Sequence, residues 1–121
     1  MLTPKEVIQL VIQFNEMLNA HNVDGMMHFL TDDCLFENTY PPPDGERHVG
    51  QAAVRAFWED FFRIDQEQRI EIEEIFAVEN RCIMRWVYYW REDGDGGHVR
   101  GVDLYTLRGR RISEKLSYVK G

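Results

Sequence analysis

One carboxylate lies in a strand pattern that is otherwise largely apolar, and its surroundings suit chemistry better than those of any other acidic residue. It is Asp103, in the segment RGVDLYTL. Alternation along a strand places Asp103 on one face with Gly101, Tyr105 and Leu107. A carboxylate in such company is solvated, paired with a cation, or held in a pocket that perturbs its pKa. In a pocket it could act as a general acid or base.

Two roles for Asp103 stay open on these residues alone. The structural role is an ion pair with an arginine such as Arg85 or Arg100, because charged residues on a sheet commonly pair. The catalytic role needs an apolar cavity around the carboxylate. Desolvation there raises a carboxyl pKa toward neutrality, where proton transfer is efficient.

An aromatic face on a neighbouring strand pattern could line such a cavity. Within residues 82–91, Met84, Trp86, Tyr88 and Trp90 alternate onto one side. These side chains are bulkier than packing against one layer of helices requires, which favours a ligand cavity. The alternative is an ordinary core with the aromatic tips at a subunit interface. The opposite face mixes large apolar residues with arginines, as homodimer interfaces do: Ile83, Val87 and Tyr89 with Arg85 and Arg91.

The other polar residues form no metal or cofactor motif. The four histidines, His21, His28, His48 and His98, show no His-x-His or Glu-x-x-His spacing. The acidic turn expected at residues 92–97 lacks the later acidic ligand of a calcium loop. No phosphate loop, dinucleotide fingerprint or nucleophile elbow occurs. The sequence therefore predicts neither a bound metal nor a cofactor.

Composition places the chain among small globular proteins. Its 121 residues suit one domain spanning 1–121, with 44% hydrophobic and 29% charged residues. A net charge of −7 disfavours a nucleic-acid partner, because phosphate contacts need a basic surface. No apolar run reaches the ~20 residues of a membrane span, and the N-terminus lacks a signal-peptide pattern. Cys34 and Cys82 lie in apolar runs, so we expect reduced thiols and a cytoplasmic protein.

Three helices are predicted before most of the strands. Residues 3–6, Thr-Pro-Lys-Glu, form a capping box, and apolar residues at helical spacing follow to about Asn19. The predicted helices span residues 3–19, residues 22 or 24 to 30, and residues 51–62.

The strand patterns form a meander. They cover residues 35–39, 70–76, 82–91, 99–107 and 112–119, and the first ends in a proline-rich loop at 40–45. The alternation slips near Glu73 and Glu74, which predicts a bulge. Helices followed by an antiparallel sheet indicate an α+β fold, and a curved sheet of this kind can enclose a cavity at its open end.

The chain resembles the nuclear transport factor 2-like proteins, within them the SnoaL-like and ketosteroid-isomerase-like branch. Four segments carry the resemblance in the family's order and spacing: LNAHNVDG at 18–25, LTDDCLFEN at 30–38, VGQAAVRAF at 49–57, and GVDLYTL with RISEKLSYVKG near the end. The resemblance implies an α+β fold in which a cone-like curved, mixed or antiparallel sheet wraps around three N-terminal helices and an internal cavity. The fold hosts isomerases, cyclases, hydrolases, dehydratases and binding domains, so it implies no single activity.

Two mechanisms known in this superfamily map poorly onto the chain. Ketosteroid isomerases use a carboxylate base, a tyrosine and a protonated aspartate, and the matching positions hold Asn38, Phe14 and Asp103. Limonene epoxide hydrolases use a tyrosine, an asparagine, an arginine and two aspartates, and the matching positions hold Phe36, Asn38, Gly101, Asp103 and Lys120. Phe14 cannot donate a hydrogen bond and the neutral Asn38 amide cannot take a proton, so the isomerase mechanism is disfavoured. The hydrolase mechanism is disfavoured because Phe36, Gly101 and Lys120 replace its tyrosine, its arginine and its water-activating aspartate, and the lysine reverses the charge.

The polyketide-cyclase branch needs only an apolar cavity and one aspartate. The resemblance therefore implies Asp103 as the acid/base and Asn38 as a hydrogen-bond donor to the developing oxyanion. The expected activity is a cofactor-independent isomerase, cyclase or hydrolase reaction on an apolar or carbonyl-bearing molecule. The alternative is a non-catalytic, homodimeric ligand-binding or accessory domain. The residues expected to contact the substrate are Phe14, Phe36, Tyr40, Trp58, Met84, Trp86, Tyr88, Trp90, Tyr105 and Tyr118.

Overall fold

The elements follow the order that the sequence predicts, with one short strand added. The computed structural model describes residues 1–92 and 95–121, and residues 91, 92 and 95 by their backbone alone. The helices are α1 (Pro4–Asn19), α2 (Val23–His28) and α3 (Gln51–Ile64). The strands are β1 (Leu30–Glu37), β2 (Arg47–Val49), β3 (Arg69–Val78), β4 (Arg81–Glu92), β5 (Asp95–Arg108) and β6 (Arg111–Val119). Within the described ranges, none of the helices is long and apolar enough to cross a membrane.

Helix α1 forms because its first turn is capped and one face is continuously apolar. The Thr3 hydroxyl accepts a hydrogen bond from the Glu6 backbone N–H at 3.1 Å, and the Glu6 carboxylate accepts one from the Thr3 N–H at 2.9 Å. This reciprocal pair satisfies two backbone donors at the helix start. The buried apolar face consists of Val7, Leu10, Val11, Phe14 and Leu18.

The strands form one curled, unclosed mixed sheet in the order β2-β1-β6-β5-β4-β3. β1 runs parallel to β6, and the other neighbouring pairs are antiparallel. The register between β3 and β4 shifts between Ile72 and Glu74, so the bulge predicted there is confirmed. Helix α1 packs against β3 and β4, and the α+β fold with a curved sheet over three helices is confirmed.

The second helix and the first strand differ from their predicted boundaries. α2 ends at His28, where Phe29 caps it, and Leu30 already belongs to β1. Leu30 pairs with Ile112 of β6, a contact between distant parts of the chain that local apolar spacing does not encode. β1 therefore starts five residues earlier than the predicted start at Leu35 and ends at Glu37.

Two further segments differ from the secondary structure predicted from the sequence. β2 was not predicted, because its three residues become a strand only by pairing with β1, Val49 opposite Leu35. The turn predicted at 92–97 is partly strand, since β4 continues to Glu92 and β5 begins at Asp95. Asp93 and Gly94 lie outside the described residues.

The sheet face predicted to form a homodimer interface makes extensive contacts within the chain. Val87 is only 3% exposed in the isolated chain. Arg85 and Arg100 both pair with Glu73, at 3.4 and 3.2 Å. The side chain of Arg91 lies outside the described part of the structure. Homodimerisation through this face stays a prediction.

Candidate functional site

A cavity of about 390 Å³ lies between α3, the loop at 38–46 and the inner face of the sheet. Most of its wall is aromatic or aliphatic, and its polar end lies where β5 and β6 run side by side. The lining residues are Asn38, Thr39, Tyr40, Glu46, Phe57, Trp58, Phe61, Ile70, Trp86, Tyr88, Val99, Asp103, Lys115 and Ser117.

Asp103 lies on the wall of this cavity and is 2% exposed. Its Oδ2 accepts a hydrogen bond from the Tyr105 hydroxyl at 3.4 Å. Its Oδ1 is buried and has no hydrogen-bond partner among the described residues. Buried polar atoms are nearly always satisfied in folded proteins. A ligand at the cavity wall is one partner that would satisfy this oxygen.

The cation beside Asp103 is Lys115, a residue that the sequence analysis did not single out. Its Nζ lies 3.6 Å from Asp103 Oδ2. The predicted alternative, an ion pair of Asp103 with Arg85 or Arg100, is wrong, because the two arginines pair with Glu73 on the other side of the sheet.

A bulge in β6 explains why the sequence pattern concealed this lysine. Alternation counted from the buried Ile112 points Glu114 inward and Lys115 outward. The register between β5 and β6 shifts just after Ile112, so β6 carries one extra residue there. Lys115 and Ser117 consequently face the cavity.

The Lys115 ammonium is enclosed by a hydroxyl and two aromatic rings. Nζ donates a hydrogen bond to Ser117 Oγ at 3.0 Å. It lies 5.2 Å from the centre of the Phe36 ring and 5.6 Å from the centre of the Trp58 ring. The residue is 4% exposed, and aromatic faces attract a cation without replacing its hydrogen bonds.

Three buried N–H groups on the wall also lack partners in the described part of the chain. They are Asn38 Nδ2, Trp58 Nε1 and Trp86 Nε1. Each could donate to an oxygen atom of a ligand. Among the described residues, no three His, Cys, Asp or Glu side chains converge in a way that could hold a metal ion.

Tyr88 on the cavity wall and Tyr105 in the core beside Asp103 are both held in the neutral form. Burial, and then the hydrogen bond to Asp65, raise the pKa of Tyr88 above its ordinary value. Burial, and then the charge of Asp103, raise the pKa of Tyr105 well above its ordinary value. Neither phenol supplies a base near neutral pH.

The structure brings half of the predicted site residues to the cavity wall: Asn38, Tyr40, Trp58, Trp86, Tyr88 and Asp103. Others lie in the core, each at most 1% exposed: Phe14, Phe36, Met84 and Tyr105. Trp90 stacks on Tyr88, with ring centres 5.7 Å apart, and borders a separate surface depression. Tyr118 is 51% exposed and does not line the cavity.

Sequence reasoning placed Phe57 and Phe61 on the buried face of a helix without assigning them to a site. Both line the cavity, because α3 forms one of its walls. Phe57 and Phe61 stack with ring centres 5.9 Å apart, and Trp58 meets each of them edge to face. The helix therefore contributes a continuous aromatic surface.

Solved structures with the same fold cover nearly the whole chain. A nuclear transport factor 2-like protein of unknown function from Mesorhizobium loti is 32% identical, covering 98% of this chain and 93% of that one, with a TM-score of 0.83. A Xanthomonas campestris pv. campestris protein, provisionally named a polyketide cyclase, is 18% identical, covering 97% of this chain and 92% of that one, with a TM-score of 0.77. A Kribbella flavida protein, provisionally named a ketosteroid isomerase, is 14% identical, covering 98% of this chain and 80% of that one, with a TM-score of 0.83.

The two structures that are 18% and 14% identical show only that the fold is shared. The family is shown by the sequence itself. Residues 11–115 match the family model of the SnoaL-like domain. That match covers most of the chain, including Asp103 and Lys115. The chain belongs to the SnoaL-like family and has the nuclear transport factor 2-like fold.

Proposed function

We propose that this protein binds an apolar, carbonyl-bearing small molecule in its cavity and moves a proton on it, with Asp103 as acid/base and without a cofactor. The observation that carries the proposal is that Asp103 lines the cavity and that its buried Oδ1 has no hydrogen-bond partner in the described part of the chain. This oxygen can take a proton from a ligand carbon without first losing a hydrogen bond to the protein.

The shape and polarity of the wall support this ligand class. A volume of about 390 Å³ lies in the range of small-molecule sites. The rings of Phe57, Trp58 and Trp86 suit a flat apolar body. The N–H groups of Asn38 and Trp86, which have no acceptor among the described residues, suit oxygen atoms on that body. The two provisional names among structures of this fold, polyketide cyclase and ketosteroid isomerase, both denote reactions of carbonyl compounds.

The proposed step is proton removal from the carbon next to the carbonyl group. Asp103 takes the proton, and the C–H electron pair becomes the C=C bond of an enolate. The carbonyl oxygen gains the negative charge, and Asn38 Nδ2 donates a hydrogen bond to it. Return of the proton at another carbon gives an isomer, whereas attack of the enolate carbon on a second carbonyl gives a ring.

Hydrogen exchange on a model ketone tests this step. We would incubate the protein with 2-tetralone, a compact bicyclic ketone, in D₂O and follow its α-hydrogen signals by NMR. We expect exchange above the buffer rate. Asp103→Asn should lower the protein-dependent rate by about 100-fold or more, because an amide cannot take the proton. Asp32→Asn, at an exposed carboxylate, is the matched control. Exchange unaffected by Asp103→Asn would refute the assignment.

Ligand binding without turnover is the second candidate function. It is favoured by the two contacts to Asp103 Oδ2, from Tyr105 and Lys115, which hold the carboxylate as in a structural ion pair. In that case a thermal-shift screen of carbonyl compounds would find ligands that raise the melting temperature, while 2-tetralone exchange stays at the buffer rate. Light scattering of the purified protein would show in the same preparation whether it is the predicted homodimer.

A further inference from the structure

We propose that Lys115 is a second catalytic residue of this site, whose ammonium group binds the substrate oxygen that becomes negative. The substrates of the site are then carbonyl compounds that react through an enolate, and stable oxyanions of similar shape are its tight ligands. This inference rests on the proposed function of the cavity and adds the charged group that contacts the substrate oxygen.

The protein itself uses only part of the hydrogen-bonding capacity of Lys115. Nζ donates to Ser117 Oγ at 3.0 Å. The 3.6 Å separation from Asp103 Oδ2 is an ion-pair distance and is too long for a hydrogen bond. An ammonium group has three N–H donors. Among the described residues, at least one of them has no acceptor, although the side chain is only 5% exposed.

The surroundings of the ammonium direct these donors to the cavity. Phe36 and Trp58 present ring faces to Nζ, and a ring face attracts a cation electrostatically without accepting a strong hydrogen bond. Lys115, Ser117 and Asp103 all line the same cavity. A carbonyl compound in this cavity would therefore have its oxygen beside Lys115 and the adjacent carbon beside Asp103 Oδ1.

The charges of the pair match the proposed proton transfer. Before the step, the negative charge is on Asp103 and the positive charge is on Lys115. After it, Asp103 is neutral, the enolate oxygen is negative and Lys115 is unchanged. One negative charge has moved a short distance beside a fixed positive charge, inside a site where low polarity strengthens the attraction. Asn38 and Trp86 add neutral hydrogen bonds to the same oxygen.

The pKa of bound 4-nitrophenol tests this role, because its phenolate absorbs at a longer wavelength than the neutral phenol. The parent for the experiment is Asp103→Asn, in which no carboxylate competes for the ammonium. In this variant we expect the bound probe to have a pKa at least about one unit below its value in solution, a tenfold shift toward phenolate. Asp103→Asn/Lys115→Met should bind the probe without lowering its pKa.

Two further variants isolate the charge of Lys115. Asp103→Asn/Lys120→Met removes an exposed lysine just beyond β6 and should retain the lowered pKa. Asp103→Asn/Lys115→Gln keeps a hydrogen-bond donor without the charge, should lose the lowered pKa, and replaces the methionine variant if that one fails to fold.

The outcomes separate this inference from the function on which it rests. A probe pKa that stays low in both Lys115 variants overturns the role of the lysine and leaves the cavity proposal intact. A ketone adduct trapped on Lys115 by borohydride also overturns it, because the lysine would then react as a free amine. Failure of the Asp103→Asn parent to bind 4-nitrophenol overturns the ligand cavity itself, together with the inference.

Discussion

The carboxylate of Asp103 and the ammonium of Lys115 form an ion pair inside the protein, with 3.6 Å between the charged atoms and side chains 3% and 5% exposed. The two residues lie on adjacent strands, where Asp103 is opposite Ser117 and Lys115 is opposite Tyr105. Desolvation offsets most of the attraction within such a pair. The pair therefore contributes little net stability, and the chemistry proposed for the cavity would give it a function.

Removal of one partner should be far more destabilising than removal of both. We expect Lys115→Met to lower the free energy of unfolding by about 3–5 kcal/mol, because it leaves the Asp103 carboxylate buried without its cation. Asp103→Leu/Lys115→Met should recover most of that loss, since no charge is then left unpaired. Urea unfolding of Asp103→Leu, Lys115→Met and the double variant measures the coupling. Additive effects in this cycle would contradict the ion pair.

Gly101 makes room for the Trp86 ring across the β4–β5 pair. A Cβ atom at Gly101 would lie 2.4 Å from Trp86 Cζ2 and 2.3 Å from the Tyr118 carbonyl oxygen. We expect Gly101→Ala to displace the indole from the cavity wall and to lower stability by about 1–3 kcal/mol. Tryptophan emission and urea unfolding measure the two effects.

A second glycine of β5 supplies the control for this substitution. Among the described atoms, an added Cβ at Gly96 would meet nothing nearer than 3.9 Å. Gly96→Ala should therefore leave the tryptophan emission and the free energy of unfolding close to those of the parent. If Gly101→Ala also leaves the tryptophan emission and the free energy of unfolding unchanged, the position of the indole does not depend on the space that the glycine leaves.

Sequence patterns predicted the elements that short-range spacing determines. The capping box, the apolar face of α1 and the alternation around Asp103 involve neighbours within a few residues. Lys115 could not be found in this way. A regular hairpin closed by Arg108 and Arg111 would set Asp103 opposite Leu116. The extra residue in β6 sets it opposite Ser117 instead. Packing between strands decides where such a bulge lies, so the cation of the site emerges only in three dimensions.

The two cysteine thiols should make the protein less stable in alkali. Burial, and to a smaller extent the charge of Asp33, raise the pKa of Cys34 from 9.0 to about 11. Burial raises the pKa of Cys82 to about 11 as well. As pH rises, the unfolded chain loses these protons before the folded chain does. The contribution of the thiols to the free energy of unfolding is therefore fully present below about pH 9. It decreases as the pH rises to about 11, by at most roughly 3 kcal/mol for each thiol.

Urea unfolding on either side of this window measures the effect. We expect the free energy of unfolding to decrease between about pH 8.5 and 10.5, and to decrease less in Cys34→Ala/Cys82→Ala. Tyr105 contributes in the same direction in both proteins, because burial raises its pKa too. The difference between the two slopes therefore belongs to the thiols and to the effect of the Cys82 charge on Tyr105. Parallel slopes would show that the thiols do not ionise differently in the two states.

Two amide side chains of α1 hold one backbone position of β3. Asn19 Nδ2 and Asn15 Nδ2 donate to the Ile70 carbonyl oxygen at 2.8 and 3.1 Å, and the Ile70 N–H donates to Asn19 Oδ1 at 2.8 Å. Ile70 lines the cavity, so these bonds fix part of its wall to the long helix.

Asn19→Ala and Asn15→Ala form a matched pair for testing this link. Asn19→Ala removes two of the three hydrogen bonds and leaves the Ile70 N–H without its side-chain acceptor. We therefore expect the free energy of unfolding to fall by about 2–3 kcal/mol. Asn15→Ala leaves the Ile70 oxygen its other donor and should cost about 1 kcal/mol. Amide hydrogen exchange at Ile70 should accelerate in the first variant and change little in the second. Equal acceleration in both would mean that the asparagines act through packing of the helix rather than through the backbone of Ile70.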